Sequence, residues 1–139
     1  MGTLVSHTKA AESAVALQHF EAMLSFETDC WDVHESLQAA EPDFILLDVR
    51  SHDQYAAGHV PGAVSMPRGK IIASRMAIYA GDMLFVVYCA GPHCNGANKA
   101  AVRLAQLNLS VKMMIGGVTG WLDEGFLLTR VEPEPGDAG

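Results

Sequence analysis

The stretch from residue 83 to residue 96 decides the fold: Met83-Leu84-Phe85-Val86-Val87-Tyr88 runs directly into Cys89-Ala90-Gly91-Pro92-His93-Cys94-Asn95-Gly96. The first part is continuously apolar and predicts a buried strand, whereas the second predicts a loop that leads into a helix over 97–107. A second apolar run at 44–49 contains one acid and predicts a central parallel strand covered on both faces. Strands that alternate with helices predict right-handed βα units and a mostly parallel sheet.

The other predicted elements follow from hydrophobic periodicity and capping residues. The N-terminal part is predicted to contain an amphipathic helix over 10–26, with Ala16, Leu17, Phe20, Met23 and Leu24 on one face, followed by an extended stretch at 28–31 and a helix over 33–40 capped by Asp32 and Glu35. A short helix capped by Ser51 and Gln54, a short strand at 63–66 and a helix over 70–80 are predicted next. The C-terminal part is predicted to contain a left-handed Asn108, a strand over 111–115 and a short helix around Trp121. Together they predict an α/β fold in three regions: an N-terminal extension at 1–27 that contains the amphipathic helix, one domain at 28–130 and a flexible tail at 131–139.

Length and composition limit the classes of function. A chain of 139 residues that is 50% hydrophobic and 18% charged has enough apolar material for one sizeable core. The formal net charge of −7 argues against binding to a nucleic-acid backbone or to an anionic membrane. Lysine and arginine outnumber the acids only in the middle of the chain, residues 44–110, so a site there would favour a small anion.

The cysteines indicate a cellular compartment. Cys30, Cys89 and Cys94 are too few and odd in number for a disulfide framework, which indicates a reducing environment. The N-terminus lacks the basic and apolar regions of a signal peptide, and no apolar run approaches the ~18 residues of a membrane span. We therefore expect a cytoplasmic protein with no membrane partner.

Cys89 stands where an open parallel sheet places its ligands, directly beyond the carboxyl end of a strand. The N–H groups of the loop and the N-terminus of the 97–107 helix would favour an anion there, and therefore a nucleophilic thiolate. Gly91 and Gly96 allow the backbone to fold tightly around the sulfur, and Pro92 stiffens the loop. The alternative is a buried structural cysteine at the end of a strand.

Four blocks, in order along residues 28–128, resemble a single-domain rhodanese: they are Leu47-Asp48-Val49-Arg50, Tyr55-Ala56-Ala57-Gly58-His59-Val60-Pro61-Gly62-Ala63, Val86-Val87-Tyr88-Cys89 and Gly116-Gly117-Val118-Thr119-Gly120-Trp121. The resemblance implies the rhodanese-like three-layer fold, a five-stranded, mostly parallel sheet with helices on both faces. It also implies a sulfurtransferase in which Cys89 takes sulfane sulfur from a small anionic donor such as thiosulfate. The cysteine then becomes a persulfide and passes the sulfur to cyanide or another thiophilic acceptor.

The loop departs from the family's usual pattern, Cys-x-x-Gly-x-Arg-Ser followed closely by paired alanines. Here the alanine pair 100–101 lies farther from Cys89, so the loop is longer, and no arginine stands between Cys89 and Cys94. Related cysteine phosphatases use a longer loop with Cys-x5-Arg, because a bidentate guanidinium holds the phosphoryl oxygens. Asn95 occupies that place here, which disfavours phosphatase and arsenate-reductase chemistry.

Cys94 leaves three interpretations open: an acceptor of the sulfur, a resolving thiol that attacks an oxidised or persulfidated Cys89, or a loop residue without a role. Cys30 is interpreted as a packing residue. Asp48 and Arg50 end a central strand, and they either support the loop or form an ion pair that anchors neighbouring turns.

The remaining polar candidates also have functional and structural interpretations. His59 is expected to hold its turn by hydrogen bonds, whereas His93 either assists a proton transfer or is solvated. The possible anion contacts are Arg68, Lys70, Lys99 and Arg103. The predicted active-site loop comprises Ala90, Gly91, Pro92, His93, Cys94, Asn95 and Gly96. No cofactor or metal is predicted, because the loop lacks a second ligand pair at zinc spacing.

Two other functions remain open beside sulfur transfer. One is a persulfide carrier or regulatory module that docks to another protein through the acidic residues 1–43. The other is a thiol redox sensor that uses Cys89 and Cys94. The helix over 10–26 is predicted to cover the core, with a homodimer contact or a contact with an acceptor protein as the alternative.

Overall fold

Five strands form a single sheet in the computed structural model, which describes residues 2–132. The strands are β1 (Glu27–Thr28), β2 (Phe44–Asp48), β3 (Val64–Ser65), β4 (Leu84–Tyr88) and β5 (Ser110–Met114). Their order across the sheet is β1-β5-β4-β2-β3, and every adjacent pair is parallel. The predicted five-stranded, mostly parallel sheet is therefore confirmed, and β4 is its central strand.

Helices connect the strands and cover the sheet on both faces. Within residues 2–132 they are α1 (Leu4–His7), α2 (Ser13–Phe26), α3 (Cys30–Ser36), α4 (His52–Ala57), α5 (Ala73–Met76), α6 (Gly96–Gln106) and α7 (Gly117–Asp123), with a 3-10 turn at Arg68–Lys70. The expected α/β architecture, with helices on both faces of a parallel sheet, is confirmed by this arrangement.

The apolar character of β4 follows from its position between two cores. Successive side chains of a strand point to opposite faces of the sheet. Phe85 and Val87 accordingly enter one core together with residues of α6, whereas Val86 and Tyr88 enter the other core with residues of α3 and α7. These four side chains are at most 3% exposed. A strand buried on both faces shows no polar alternation, which explains the continuous apolar run in the sequence.

Two predicted helices differ from the structure. The region predicted as one helix over 70–80 contains the end of the 3-10 turn and the short α5, because Ile71 between them has an extended backbone and a buried side chain. The helix predicted over 33–40 begins earlier, at the start of α3. Its N-cap is Asp29, whose carboxylate accepts a hydrogen bond from the N–H of Asp32 at 2.8 Å.

The N-terminal helix α2 forms close to its predicted bounds, but none of its residues is buried. Leu17, Phe20 and Leu24, from the predicted apolar face, are 61%, 63% and 71% exposed. The helix contacts β1 and β5, and a two-residue edge strand offers little surface for it to cover. The prediction that this helix covers the core is therefore wrong.

Asn108, which lies just after α6, is left-handed with φ of 61°, as predicted for a residue that follows a helix. Of the predicted tail at 131–139, all but the first two residues lie outside the described part of the chain. Among residues 2–132 no helix combines the length and the hydropathy needed to cross a bilayer.

Candidate active site

Cys89 follows β4 directly, at the carboxyl edge of the sheet and between the neighbouring strands β2 and β5. Only 8% of its surface is exposed, and its side chain packs in the core that contains α6. The first residue of α6, Gly96, is so close that a Cβ atom there would lie 2.8 Å from Cys89 Sγ. The sulfur therefore lies next to the N-terminus of a helix, where the sequence analysis expected the nucleophile.

A tight turn brings Cys94 back to Cys89. The N–H of Cys94 donates to the carbonyl oxygen of Gly91 at 3.0 Å. Pro92 holds the second position of this turn, which proline favours because its φ is already fixed. As a result, Cys89 Sγ and Cys94 Sγ are 2.7 Å apart and share a hydrogen bond, and both cysteines are free thiols.

The two thiols differ in their tendency to ionise. Burial raises the pKa of Cys89 above 9.0, and the hydrogen bond with Cys94 raises it further. The pKa of Cys94 is lowered, because the hydrogen bond with Cys89 and the N–H of Gly96, 3.4 Å from Cys94 Sγ, stabilise its thiolate. The two shifts have opposite directions, so the first proton lost from the pair leaves its charge on Cys94 rather than on Cys89, the cysteine for which the sequence analysis expected a thiolate.

The N-terminus of α7 holds the start of the loop, a contact that the sequence analysis missed. The N–H of Val118 donates to the carbonyl oxygen of Cys89 at 3.1 Å. The N–H and the hydroxyl of Thr119 donate to the carbonyl oxygen of Ala90 at 3.0 Å and 3.1 Å. Gly117 has a φ of +57°, and a Cβ atom there would collide with the Cys89 carbonyl oxygen. The signal in the sequence was the double glycine after the last strand, which permits such a close approach of two backbone segments.

A cavity of about 290 Å³ opens beside the two sulfur atoms. Its wall contains Cys89 and Cys94 from the loop, Ala97 and Asn98 from α6, and the segment 113–117 between β5 and α7. Cys94 is half-buried, whereas Cys89 is buried. A small molecule in this cavity would therefore meet both sulfurs from the same side of the molecule.

The four predicted anion contacts, Arg68, Lys70, Lys99 and Arg103, are exposed. None of them forms an ion pair with another residue in the described part of the chain. Arg68 is close enough for its positive charge to contribute to the lowered pKa of Cys94. The structure thus brings one of the four cations towards the sulfur pair.

Asp48 and Arg50 form a buried ion pair near the end of β2. Asp48 is fully buried, and Arg50 Nη2 donates to Asp48 Oδ2 at 2.6 Å and to the carbonyl oxygen of Gly58 at 2.6 Å. The hydroxyl of Tyr88 donates to Asp48 Oδ2 at 2.8 Å and accepts from the N–H of Val60 at 3.1 Å. This network ties the carboxyl ends of β2 and β4 to the turn at Gly58, which fixes the edge of the sheet from which the loop departs.

Three other residues singled out in the sequence lie at the surface or support turns. His93 is exposed at the tip of the loop, and Asn95 is the exposed N-cap of α6 without a side-chain capping bond. His59 Nδ1 lies 2.8 Å from the carbonyl oxygen of Tyr55, and the two rings stack with centroids 3.7 Å apart. His59 therefore holds its turn by a hydrogen bond, in agreement with the structural interpretation.

Cys30 lies away from the sulfur pair, at the start of α3. Its thiol donates to the carbonyl oxygen of Ile115 at 3.5 Å, and burial raises its pKa to about 11. Such a thiol is unreactive at neutral pH, which agrees with a packing role. Within residues 2–132, no group of three or more His, Cys, Asp or Glu side chains is arranged to hold a metal ion.

Comparison with protein families and solved structures gives consistent matches. The model of the Rhodanese-like domain family matches residues 31–124. The crystal structure of the BH2092 protein from Bacillus halodurans is similar to this chain, with a TM-score of 0.83 and 34% identity. That similarity covers 86% of this chain and 88% of the Bacillus protein.

Two curated relatives are longer proteins. The HTH-type transcriptional regulator Rv0324 of Mycobacterium tuberculosis is 39% identical over 94 residues, which are 68% of this chain and 38% of the regulator. The adenylyltransferase and sulfurtransferase UBA4 of Meyerozyma guilliermondii is 29% identical over 98 residues, which are 66% of this chain and 23% of that protein. The chain thus spans less than half the length of either relative.

Proposed function

The chain belongs to the rhodanese-like domain family, and from this premise we propose that it is a sulfurtransferase whose persulfide forms on Cys89. Family membership supports the class of reaction, as does the word sulfurtransferase in the name of one relative. The proposed donor is a small anion such as thiosulfate, and the proposed acceptor is a thiophile such as cyanide or a thiol. The reaction needs no cofactor.

The proposed reaction has two half-reactions. In the first, the Cys94 thiolate takes the proton of Cys89, and the resulting Cys89 thiolate attacks the outer sulfur of thiosulfate. A bond forms from Cys89 Sγ to that sulfur, the sulfur–sulfur bond of thiosulfate breaks, and sulfite leaves with the electron pair. In the second, the acceptor attacks the outer sulfur of the persulfide, and Cys89 leaves as a thiolate. Such a sequence gives double-displacement kinetics.

The observation that carries this proposal is the position of Cys89 Sγ at the end of the central strand and on the wall of a cavity. The N–H groups of Ala90 and Gly96 favour its thiolate and oppose the effect of burial. The raised pKa of the resting thiol is compatible with a nucleophile, because Cys94 Sγ lies 2.7 Å away and can accept the proton. Arg68 supplies positive charge on the same side, where an anionic donor would approach.

Release of sulfite from thiosulfate tests the first half-reaction, because it does not depend on the later fate of the persulfide. We expect the reduced chain to release about one sulfite per chain in a rapid phase, and to form thiocyanate continuously when cyanide is in excess. The Cys89→Ser variant should do neither, while the matched Cys30→Ala variant should do both. Sulfite release by Cys89→Ser at the rate of the unsubstituted chain would remove Cys89 from the reaction.

A regulatory module is the second candidate, because a relative with 39% identity is named a transcriptional regulator. In that role the chain would form the persulfide, turn over slowly with free acceptors and dock to another protein through its acidic N-terminal residues. A rapid sulfite phase followed by negligible thiocyanate formation, with the added sulfur retained on the chain, would favour this candidate. In either role we place the protein in a reducing compartment such as the cytoplasm, which keeps Cys89 and Cys94 available as thiols.

A further inference from the structure

We propose that Cys94 is the resolving thiol of this site: it attacks the Cys89 sulfur of the persulfide, forms a Cys89–Cys94 disulfide and releases the sulfane sulfur as hydrosulfide. The inference rests on the proposed persulfide at Cys89 and extends it. It gives the chain an acceptor of its own, so that sulfur leaves the site without an external thiophile. The product is reduced sulfur rather than a transferred sulfane atom.

The separation of the two sulfurs carries this inference. Cys94 Sγ lies 2.7 Å from Cys89 Sγ, so a small movement of either side chain reaches the ~2.05 Å of a disulfide bond. The turn from Gly91 to Cys94 fixes this approach through its hydrogen bond of 3.0 Å. The absence of a side chain at Gly96 leaves room for this approach, because a Cβ atom at that position would lie 2.8 Å from Cys89 Sγ and 3.4 Å from Cys94 Sγ. The turn and the absence of a side chain at Gly96 thus keep the pair in contact.

The same geometry selects the inner sulfur of the persulfide as the point of attack. Cys94 Sγ touches Cys89 Sγ itself, and the outer sulfur is one bond farther along the chain of atoms. Attack on the inner sulfur expels hydrosulfide, a good leaving group because its conjugate acid is more acidic than an ordinary thiol. The cavity of about 290 Å³ beside both cysteines gives the leaving group a path out.

The charges around Cys94 support its role as the attacking group. Its thiolate is favoured by the N–H of Gly96 and by the positive charge of Arg68, and both remain when Cys89 carries a persulfide. Cys94 is half-buried, so the proton that it received from Cys89 can pass to solvent. The attacking thiolate is therefore regenerated at the place where it is needed.

The step balances without any external oxidant. Cys89–S–S⁻ and Cys94–SH become the disulfide Cys89–S–S–Cys94 and HS⁻. Cys94 first loses its proton to solvent; the bond from Cys94 Sγ to Cys89 Sγ then forms, the bond to the outer sulfur breaks, and the outer sulfur leaves with the electron pair and takes up a proton from solvent. The sulfane sulfur gains two electrons, which the two cysteine sulfurs lose. A dithiol reductant, either a small molecule or a protein, then restores the thiols by disulfide exchange.

A single-turnover experiment tests the inference. The reduced chain of 139 residues is treated with one equivalent of thiosulfate under anaerobic conditions, without cyanide or added thiol. We expect sulfite and hydrosulfide in equal amounts, an intact mass lower by two hydrogen atoms, and a peptide that links Cys89 to Cys94. Cys94→Ser should release sulfite, gain the mass of one sulfur and release no hydrosulfide. The matched variant Cys30→Ala should behave like the unsubstituted chain.

The outcomes separate the two proposals. If the unsubstituted chain releases sulfite but retains the added sulfur, on either cysteine, Cys94 does not resolve the persulfide, and the proposed function stands without it. If neither thiosulfate nor a small organic persulfide transfers sulfur to the chain or to Cys94→Ser, the proposed function fails and the inference fails with it. If Cys94→Ser takes up sulfur from thiosulfate more slowly, the amounts of hydrosulfide and disulfide formed by the unsubstituted chain still test the inference. Cys94→Ala provides a second variant.

Discussion

Substitution of Gly96 by alanine should separate the stability of the fold from the chemistry of the site. The added Cβ atom would lie 2.8 Å from Cys89 Sγ and 3.4 Å from Cys94 Sγ. Ordinary contact begins near 3.4 Å, so Cys89 Sγ must move by about half an ångström or more. Because misplacement of a reacting group by ~1 Å can cost ~100-fold in rate, we expect roughly a tenfold loss of sulfite release.

The same substitution should leave the fold intact. Gly96 is the first residue of α6 and has no left-handed backbone, and alanine is favoured over glycine in a helix by up to ~1 kcal/mol. The atom that must move is the end of one small side chain, Cys89 Sγ, rather than backbone. We therefore expect a melting temperature within a few degrees of that of the unsubstituted chain.

Gly81→Ala provides the matched control, because no atom lies within 4 Å of its added Cβ. Sulfite release in a single turnover and thermal unfolding are measured for both variants. Gly81→Ala should retain the full rate, and hydrosulfide release should fall in Gly96→Ala alone, because the sulfur pair is pushed apart. If Gly96→Ala released sulfite and hydrosulfide at the unsubstituted rate, the close contact of the two sulfurs would have no role in the chemistry.

Four further substitutions test what stabilises the fold around the site. Arg50→Met should destabilise the fold by about 3–5 kcal/mol in urea unfolding, because it leaves the fully buried Asp48 without its cation; a loss below ~1 kcal/mol would contradict a buried ion pair. Gly125→Ala should lower the free energy of unfolding by about 1–2 kcal/mol, because Gly125 has a φ of +85° although no atom lies within 4 Å of its added Cβ. Gly117→Ala should lower it by about 1–3 kcal/mol more, because its Cβ also meets backbone. Equal losses in the two variants would argue against that close approach. The raised pKa of Cys30, about 11 against 9.0 for a free thiol, stabilises the fold below pH 9, and this contribution disappears as the pH rises to 11. Unfolding free energies should therefore fall by about 2–3 kcal/mol more in the unsubstituted chain than in Cys30→Ala over that range.

The central strands of this fold can be predicted from sequence because their environment is uniform. The strand β4 is buried on both faces, so its first four residues are apolar and the polar hydroxyl of Tyr88 is satisfied within the core. The region 70–80 could not be predicted in the same way. Its apolar residues fit a helix, but Ile71 reaches the core only with an extended backbone, and that requirement is set by tertiary packing. Local periodicity carries no information about it.

The candidate site was predicted in position but not in its ionisation. Cys89 can be found from the rule that ligands meet the carboxyl ends of parallel strands. The raised pKa of its thiol could not, because it depends on how far the sulfur is buried and on the distance to Cys94 Sγ. Both quantities follow from the turn at Gly91 and the absence of a side chain at Gly96. The loop also depends on the N-terminus of α7, which lies far from it in sequence.

The departure of this loop from the family pattern changes how negative charge is distributed between the two sulfur atoms of the site. When the pair has lost one proton, the remaining proton is favoured on Cys89 and the negative charge on Cys94, where Arg68 from outside the loop partly balances it. When Cys89 gives its proton to Cys94 and attacks, the total charge of the pair does not change. The approach of an anionic donor is therefore opposed by a single negative charge, partly neutralised, rather than by two. A second thiol within the loop thus substitutes for a general base before the attack, and it is already in contact with the sulfur that it would later resolve.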